Sequence, residues 1–478
     1  MSRMPEDLQE FMGLLEDRGL LARIKEKVSV DLELAEVVRR VFKAGGPALL
    51  FEDVAGFDIP VVANLFGTSE RVLMAMEAPS VEEAVGRVEA LMKAAAKPSL
   101  RSALKGLRML KAARPRLVSR SPCKEMVFRE GEFKLTRLPA IRSWPKEGGR
   151  FITLPLVFTK DPETGRRNVG IYRMQVFDDA AAGMHWQAHR HGALHLAKSK
   201  GPLQVAVALG GDPALILAAA MPLPEALDEV MVAGLLKGGS IKLVRCEAVD
   251  LEVPASAEIV LEGIVDPREL RIEGPFGDHT GYYDPAKPCH VFRVKCVTMK
   301  ERPVFPVVVE GKPPTEGAML QAVLQRLALP LVKSVMPEVV DLSFPVEAWF
   351  HGLCIVSIRK RYPGHAKRVM MGLWGLESFS LIKCIIVVDA DVDIHDLGQV
   401  LWAVSTRVDP ARDLLIVEKA PLDELDHASP MLRLGSKLGV DATRKLEGEA
   451  ERPTPEELKA DEEVARKVDE LWPKLTLA

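Results

Sequence analysis

The sequence predicts a mixed fold in which two α/β segments enclose a central β-rich one, and three observations predict it. Up to residue 118, helical apolar spacing is mixed with short strand-like runs. From Glu125 to Pro306 the pattern becomes a series of short β runs separated by turn residues. From Gly311 onward, helix-period and continuous apolar segments alternate again. A chain of 478 residues exceeds what one core holds, so three domains are expected, 1–118, 119–310 and 311–478.

Each element has its own warrant. Residues 6–43 read as helical from Leu8, Phe11, Met12, Leu15 and Leu20, then Leu32, Leu34, Val37, Val38 and Val41. Strands are expected at 48–51 and 60–64 with Gly56 between them, and a helix at 80–96. Strands at 151–159, 169–177, 203–208, 241–244, 258–264 and 290–297 suit antiparallel structure or a barrel. In the last third, helices at 317–327, 366–375 and 397–406 alternate with strands at 353–358 and 382–388. Apart from Lys383, the 382–388 run is apolar, as in a strand covered on both faces. A charged amphipathic helix over 454–471, opening at a Thr-Pro-Glu-Glu cap, is suited to packing on a partner subunit.

Composition narrows the function. The formal charge of −3 implies no nucleic-acid partner. The polar N-terminus does not resemble a signal peptide. A membrane span needs about 20 apolar residues in a row, whereas the longest apolar stretch, 203–227, is broken by Gly210, Gly211, Asp212 and three prolines. Six cysteines without a Cys-x-x-Cys pair argue against a zinc knuckle and suit a reducing cytoplasm. Only Asn64 and Asn168 represent asparagine, a depletion expected of a thermophilic source. Segment 93–124 has ten basic residues and no acidic one. It reads as a linker helix with a solvated cationic face in preference to a basic lid or membrane-facing helix.

Three clusters carry chemistry. The first is Asn168-Val-Gly-Ile-Tyr-Arg173 followed by His185, His189, His191 and His195, four of the ten histidines within eleven residues. Imidazoles four apart share a helix face, and imidazoles two apart share a strand face, so either arrangement could serve a metal. The second is Asp228-Glu229, opening a helix where a glutamate ordinarily compensates the helix dipole. With an amide oxygen and an imidazole, such a carboxylate makes an O/N/O set suited to Mn²⁺ or Mg²⁺. The third is Glu273-Gly-Pro-Phe-Gly-Asp278-His279, two carboxylates flanking a turn, able to relay protons beside an arginine. Asp389, Asp391 and Asp393 fail as a calcium loop, because Ile394 and Val400 stand where glycine and glutamate are required. Gly435-Ser-Lys437-Leu-Gly439 is too short for a nucleotide-phosphate loop, though its lysine could meet a phosphate.

These clusters, in this order, resemble the UbiD family of prenylated-FMN decarboxylases. The segments 47–56, 61–67, 311–314 and 360–366 extend the resemblance over nearly the whole chain. It implies an N-terminal α/β domain, a central flavin-reductase-like split β-barrel and a C-terminal α/β domain that dimerises, with a terminal helix crossing to the partner. It also implies that Asn168, His189 and Glu229 bind the metal, usually manganese, against the flavin phosphate, with potassium nearby. Arg173, Glu273 and Asp278 then form the catalytic network, with Asp278 one methylene shorter than the glutamate of some members. Ile171, Tyr172, Ala188, Met221 and Lys437 fall near the cofactor, and Lys437 would meet its phosphate. Ala220 replaces a serine found in some members.

The implied mechanism has Arg173 orienting the substrate carboxylate, Glu273 tuning Arg173, and protonated Asp278 donating to the carbon that loses CO₂. A separate flavin prenyltransferase would supply the cofactor, and a homodimer or dimer-based hexamer is expected. The substrate is an α,β-unsaturated or aromatic acid. Trans-anhydromevalonate 5-phosphate, an isoprenoid precursor, is preferred to 4-hydroxy-3-polyprenylbenzoate. The basic run of His191, His195, Lys198 and Lys200 would pair with a phosphate, and His279 is placed at the substrate. Two rival classes are a non-catalytic flavin-binding or assembly protein and a metal-dependent hydrolase built on the histidine cluster.

Overall fold

The computed structural model describes residues 5–96, 108–187, 190–221, 223, 227–452, 455–458 and 461–475. Most of the basic linker therefore lies outside the described residues, as do Ala188 and His189. Residues 108–113, at the end of that linker, are helical.

The first forty residues depart from one continuous helical pattern. Helix Leu8–Asp17 ends, strand Leu21–Ile24 follows, and helix Glu33–Lys43 begins only after a turn. Gly19 stops the first helix in the left-handed region, φ 70°. Leu20 then donates back to Leu15 O at 2.8 Å, and the chain leaves as a strand parallel to Ala48–Phe51. Apolar spacing could not show this, because the pairing that makes 21–24 a strand lies beyond residue 47. Strands Leu21–Ile24, Ala48–Phe51, Val61–Ala63 and the distant Phe305–Pro306 make a four-stranded sheet. The Leu8, Phe11 and Leu15 face of the first helix shares one core with Phe158, Ala206 and Leu215 of the central region. Each such leucine contributes about 1.5–3 kcal/mol on burial.

The central sheet runs in the order Phe151–Ile152, Met174–Val176, Ala181–Met184, Lys287–Met299, Ile259–Glu273, Leu203–Leu209, Pro155–Lys160, Arg167–Ile171, with Met126–Arg129 added to the long strand Lys287–Met299. All of its pairings are antiparallel. Arg167–Ile171 and Met174–Val176 stand six places apart in this order, yet only Tyr172 and Arg173 connect them. Six strand spacings in a flat sheet are about 29 Å, and three residue steps reach about 11 Å. The sheet therefore curls until its ends meet, and the ends are not hydrogen-bonded to one another among the described residues, which makes the barrel a split one. Arg173 sits at that seam.

The C-terminal sheet has the order Val339–Ser343, Leu353–Ile358, Cys384–Asp389, Leu434–Asp441, Leu414–Pro421, with its three middle strands parallel. Val356 and Val387 enter one core, and Ile355 and Val388 enter the other, so both faces are covered as the apolar run predicts. The tail helix is shorter than expected, Glu462–Leu471, because Asp461 caps it by accepting from Glu463 and Val464 N–H at 3.0 Å each. Thr454 lies outside the described residues, and 455–458 are irregular. No helix among the described residues is long and apolar enough to cross a membrane, and the six cysteines are unpaired.

Candidate active site

A cavity of about 320 Å³ opens at the barrel seam. One wall is strand Arg167–Ile171 with Tyr172 and Arg173. Another is the end of helix Pro213–Ala220 with Met221. The C-terminal domain closes it with Phe350, His351 and Asp423.

Arg173 is held by three carboxylates. Its Nε donates to Glu273 Oε1 at 2.9 Å, its two terminal nitrogens donate to Asp278 Oδ2 and Asp284 Oδ2, and its guanidinium lies 4.4 Å over the Phe276 ring. Glu273 is delivered by the end of the 15-residue strand Ile259–Glu273. The next residues form a small hairpin, Phe276–Gly277 against Tyr283–Asp284, whose register sets Asp284 opposite Phe276 and Asp278 at the opening of the turn. The turn closes through Asp278 N–H to Tyr282 O at 3.0 Å and requires Gly281 at φ 84°. Trp144 fixes the hairpin from behind. A Cβ on Gly277 would lie 2.1 Å from its ring, and its Nε1 donates to Glu310 O at 3.0 Å.

The charges around Arg173 are set by competition between burial and pairing. Burial pushes the Glu273 carboxyl up, but Arg173 and His185 outweigh it and bring it down to about 2. His185 Nδ1 lies 2.8 Å from Glu273 Oε2, and its other nitrogen is 3.7 Å from Glu424. Burial also raises Asp278, yet His279 and Arg173 together hold it well below the usual carboxylate range. The sequence reading has Asp278 as a protonated acid. In the folded chain its neighbours Arg173 and His279, whose Nδ1 is 2.8 Å from Asp278 Oδ1, favour the carboxylate form instead. Burial pushes Glu147, behind the hairpin, up to about 7, although it accepts from Ser143, Trp144 and Gly277 N–H.

Asn168, on the strand that leads to Arg173, and Glu229 also line the cavity. Glu229 opens helix Glu229–Lys237, which Asp228 caps, and its Oε2 accepts from Val169 N–H at 3.0 Å. Burial raises its carboxyl to about 7. Asn168 is buried. Its Oδ1 is 3.2 Å from His191 Nδ1, and its Nδ2 finds no hydrogen-bond partner among the described residues. His191 and His195 stand one turn apart on helix His191–Lys198 and reach a cross-strand pair, His191 meeting Asn168 and His195 meeting Thr159 Oγ1 at 2.8 Å.

Of the residues singled out from sequence, Asn168, Ile171, Tyr172, Arg173, Met221, Glu229, Asp278, His191 and His279 line the cavity, and Ala220 lies beside Met221. Glu273 stands directly behind Arg173. His195 does not line the cavity, and Lys198 is engaged with Asp161 at 2.5 Å, so of the basic run only His191 lines it. Lys437 is turned toward Ser380 O and Ile382 O at 2.7 and 2.9 Å, with burial lowering it to about 8. Asp389 and Asp391 pair with Arg407 and Arg444, so they are ion-pair partners beyond a buried strand. Sequence reasoning passed over Asp284, Glu310, Arg190, Phe350, His351 and Asp423. Asp284 was within reach, since it lies six residues beyond Asp278 in the sequence. Phe350, His351 and Asp423 carry no local signal, because only the docking of the C-terminal domain brings them to the cavity.

With this geometry in view, the similarities are specific. Residues 12–91, 116–313 and 318–442 match, in order, the N-terminal, Rift-related and C-terminal domains of 3-octaprenyl-4-hydroxybenzoate carboxy-lyase, UbiD. A protein of Archaeoglobus fulgidus is 49% identical over 475 residues, 98% of each chain. The UbiD-class enzyme HmfF of Pelotomaculum thermopropionicum, solved in complex with FMN, is 32% identical with TM-score 0.81, covering 94% of this chain and 97% of its own. Vanillic acid decarboxylase of Sedimentibacter hydroxybenzoicus, in a closed form, is 30% identical with TM-score 0.87 and full coverage of both chains. Matches of this extent, to all three domains in their order and to whole solved enzymes, leave one assignment: the chain belongs to the UbiD family and is a carboxy-lyase.

Proposed function

We propose that this enzyme decarboxylates an α,β-unsaturated or aromatic acid, non-oxidatively and reversibly, with prenylated FMN as its cofactor. The observation that carries the proposal is the buried Arg173 guanidinium, held by Glu273, Asp278 and Asp284 at a cavity that Asn168 and Glu229 also line. An evolved dimeric form of HmfF, 32% identical, was solved with prenylated FMN.

The residues present fit such a group. Asn168 keeps a buried amide N–H group unpartnered among the described residues, a donor that a phosphate could use while the amide oxygen serves a cation, and Glu229 is a buried carboxyl with no basic side chain bonded to it there. Asn168 and Glu229, with His189, would hold Mn²⁺ or Mg²⁺ beside the flavin phosphate, with potassium close by. When bound, the prenylated flavin supplies an electron-accepting ring for the carbon that loses CO₂. Arg173 then orients the substrate carboxylate through charge-assisted hydrogen bonds. Glu273 and His185 fix the guanidinium plane. Asp278 delivers a proton to the carbon released from CO₂. Ile171, Tyr172 and Met221 shape the apolar side of the cavity.

Trans-anhydromevalonate 5-phosphate is the substrate favoured here, and Arg190 and His191 on the cavity wall are side chains that could donate to its phosphate. The aromatic alternative, 4-hydroxy-3-polyprenylbenzoate, is supported by the Phe276 and Phe350 rings in the same cavity. A cytoplasmic flavin prenyltransferase would supply the cofactor. Assembly as a dimer or dimer-based hexamer would use the tail helix, which exposes Val464, Val468, Leu471 and Trp472 and buries none of its residues. The test is to load the purified protein with prenylated FMN and measure CO₂ release from both acids. Asp278→Asn should abolish turnover while flavin stays bound. Full turnover by that variant removes Asp278 from the acid role, and an inert wild-type holoenzyme ends the proposal.

A further inference from the structure

We infer that His279 is the proton reservoir of this site, passing to Asp278 the proton that replaces CO₂ and recovering it from water. The inference rests on the proposed decarboxylation, with Asp278 as donor.

Asp278 cannot serve as a standing acid in the arrangement observed. One of its oxygens accepts from Arg173, and the other receives both His279 N–H and His279 Nδ1 at 2.8 Å each. Three donors, two of them cationic, surround a carboxylate whose side chain is 3% exposed. Both residues line the cavity, but His279 is 25% exposed against 3% for Asp278, so within this pair it is the better placed to exchange protons with water there. Its Nε2 makes no hydrogen bond among the described residues.

The surroundings of His279 hold a proton. It faces Asp278 from its own turn, Glu310 from the segment after the barrel, and Asp423 from the C-terminal domain. The basic side chains near these acids are Arg173, on Asp278, and His351, whose Nδ1 is 2.7 Å from Asp423. Burial works against the imidazolium, but the three acids outweigh it and push His279 up to about 9. Phe350 packs on the ring at 4.8 Å and fixes its plane. Glu310 keeps its position because residue 317 is glycine, where a Cβ would lie 2.0 Å from Glu310 Oε1.

The transfer balances without a redox partner. A substrate carboxylate draws on Arg173, and Asp278 loses part of its cationic support. The Nδ1–H bond of His279 breaks as an O–H bond forms on Asp278. That O–H then breaks as a C–H bond forms at the carbon leaving CO₂, using the electron pair of the broken C–C bond. Asp278 returns to carboxylate, and neutral His279 takes a proton from water. One proton is consumed for each CO₂ released. His279 is thus a positioning and relay residue, and Asp278 is the group that touches the reacting carbon.

Two measurements on the flavin-loaded full chain test this. In protein with ¹³C-labelled histidine, the His279 resonance should titrate near pH 9, and in Asp278→Asn it should fall below the ordinary histidine value of about 6.5. In turnover, His279→Asn should lower kcat about 100-fold with KM nearly unchanged, and should lose the alkaline decline of the wild-type pH profile. His279→Gln serves as a second variant if the first folds poorly. Wild-type His279 titrating at or below its ordinary value overturns the inference. An active wild type whose His279→Asn variant keeps both its kcat and its alkaline decline sinks the His279 role alone. A wild-type holoenzyme inert toward both acids sinks the proposed function and the His279 role together.

Discussion

Asp278, where the hairpin turn opens, and Asp284, opposite Phe276 in the same hairpin, accept from different nitrogens of the same Arg173 guanidinium. The hairpin thus clamps the arginine from one side while Glu273, at the end of a separate long strand, holds it from the other. Three acidic groups converge on one planar fork, which a single ammonium cannot serve with the same geometry.

Arg173→Lys should therefore keep a charge and lose the function. At least two buried carboxylates would lack their partner, and breaking buried pairs of this kind costs about 3–5 kcal/mol. Denaturant titration should show that loss, and CO₂ release should fall at least about 100-fold. Wild-type stability in the lysine variant would refute the clamp.

The pH dependence of stability has a definite sign. Glu273 is held at about 2 in the folded chain, below its unfolded value of 4.5. Its contribution is full above the unfolded value and is lost as pH falls from about 5 toward 2, on the order of 3 kcal/mol. Urea titrations across that window should fall more steeply for wild type than for Glu273→Gln. Parallel slopes would show that Glu273 is not depressed.

Gly277→Ala should disturb Asp278 without touching any charge. The added methyl meets Trp144, which also packs against Gly311. Overpacking of this kind costs about 1–3 kcal/mol. Turnover should drop by more than the stability loss explains, because residue 278 is next in the chain. A variant with wild-type kcat would mean that the Trp144 contact has slack.

Metal addition should stabilise the protein through Asn168 and Glu229. Mn²⁺ at about a hundredfold excess over its Kd should add about 2.7 kcal/mol, read as a rise in melting temperature. Asn168→Ala and Glu229→Gln should each abolish the rise. An undiminished rise in both would place the cation elsewhere.

Strands were readable in proportion to how local their cause was. Leu353–Ile358 is expected and observed over the same residues, because a run apolar but for Ser357 needs no distant partner to declare itself. Leu21–Ile24 was misread as helix because its partner strand begins at Ala48. The curled sheet is another such case. Its strands can be placed one by one, but its closure follows from the pairing order, which no local pattern encodes. In the site, the spacing of Glu273 and Asp278 suggested a carboxylate pair near an arginine, and the structure brings both to Arg173.

The sequence by itself determined which residue types the site could draw on: an amide, a helix-opening glutamate, two acids astride a turn and an arginine, each in a motif short enough to read. It also determined the alternation that makes each domain α/β or β. The tertiary structure alone decided which charges face which. It turned His195 to Thr159 and Lys198 to Asp161, away from a substrate role, and brought Glu310 and Asp423 around His279. Protonation state depends on distances and burial between segments hundreds of residues apart, and a linear pattern carries neither.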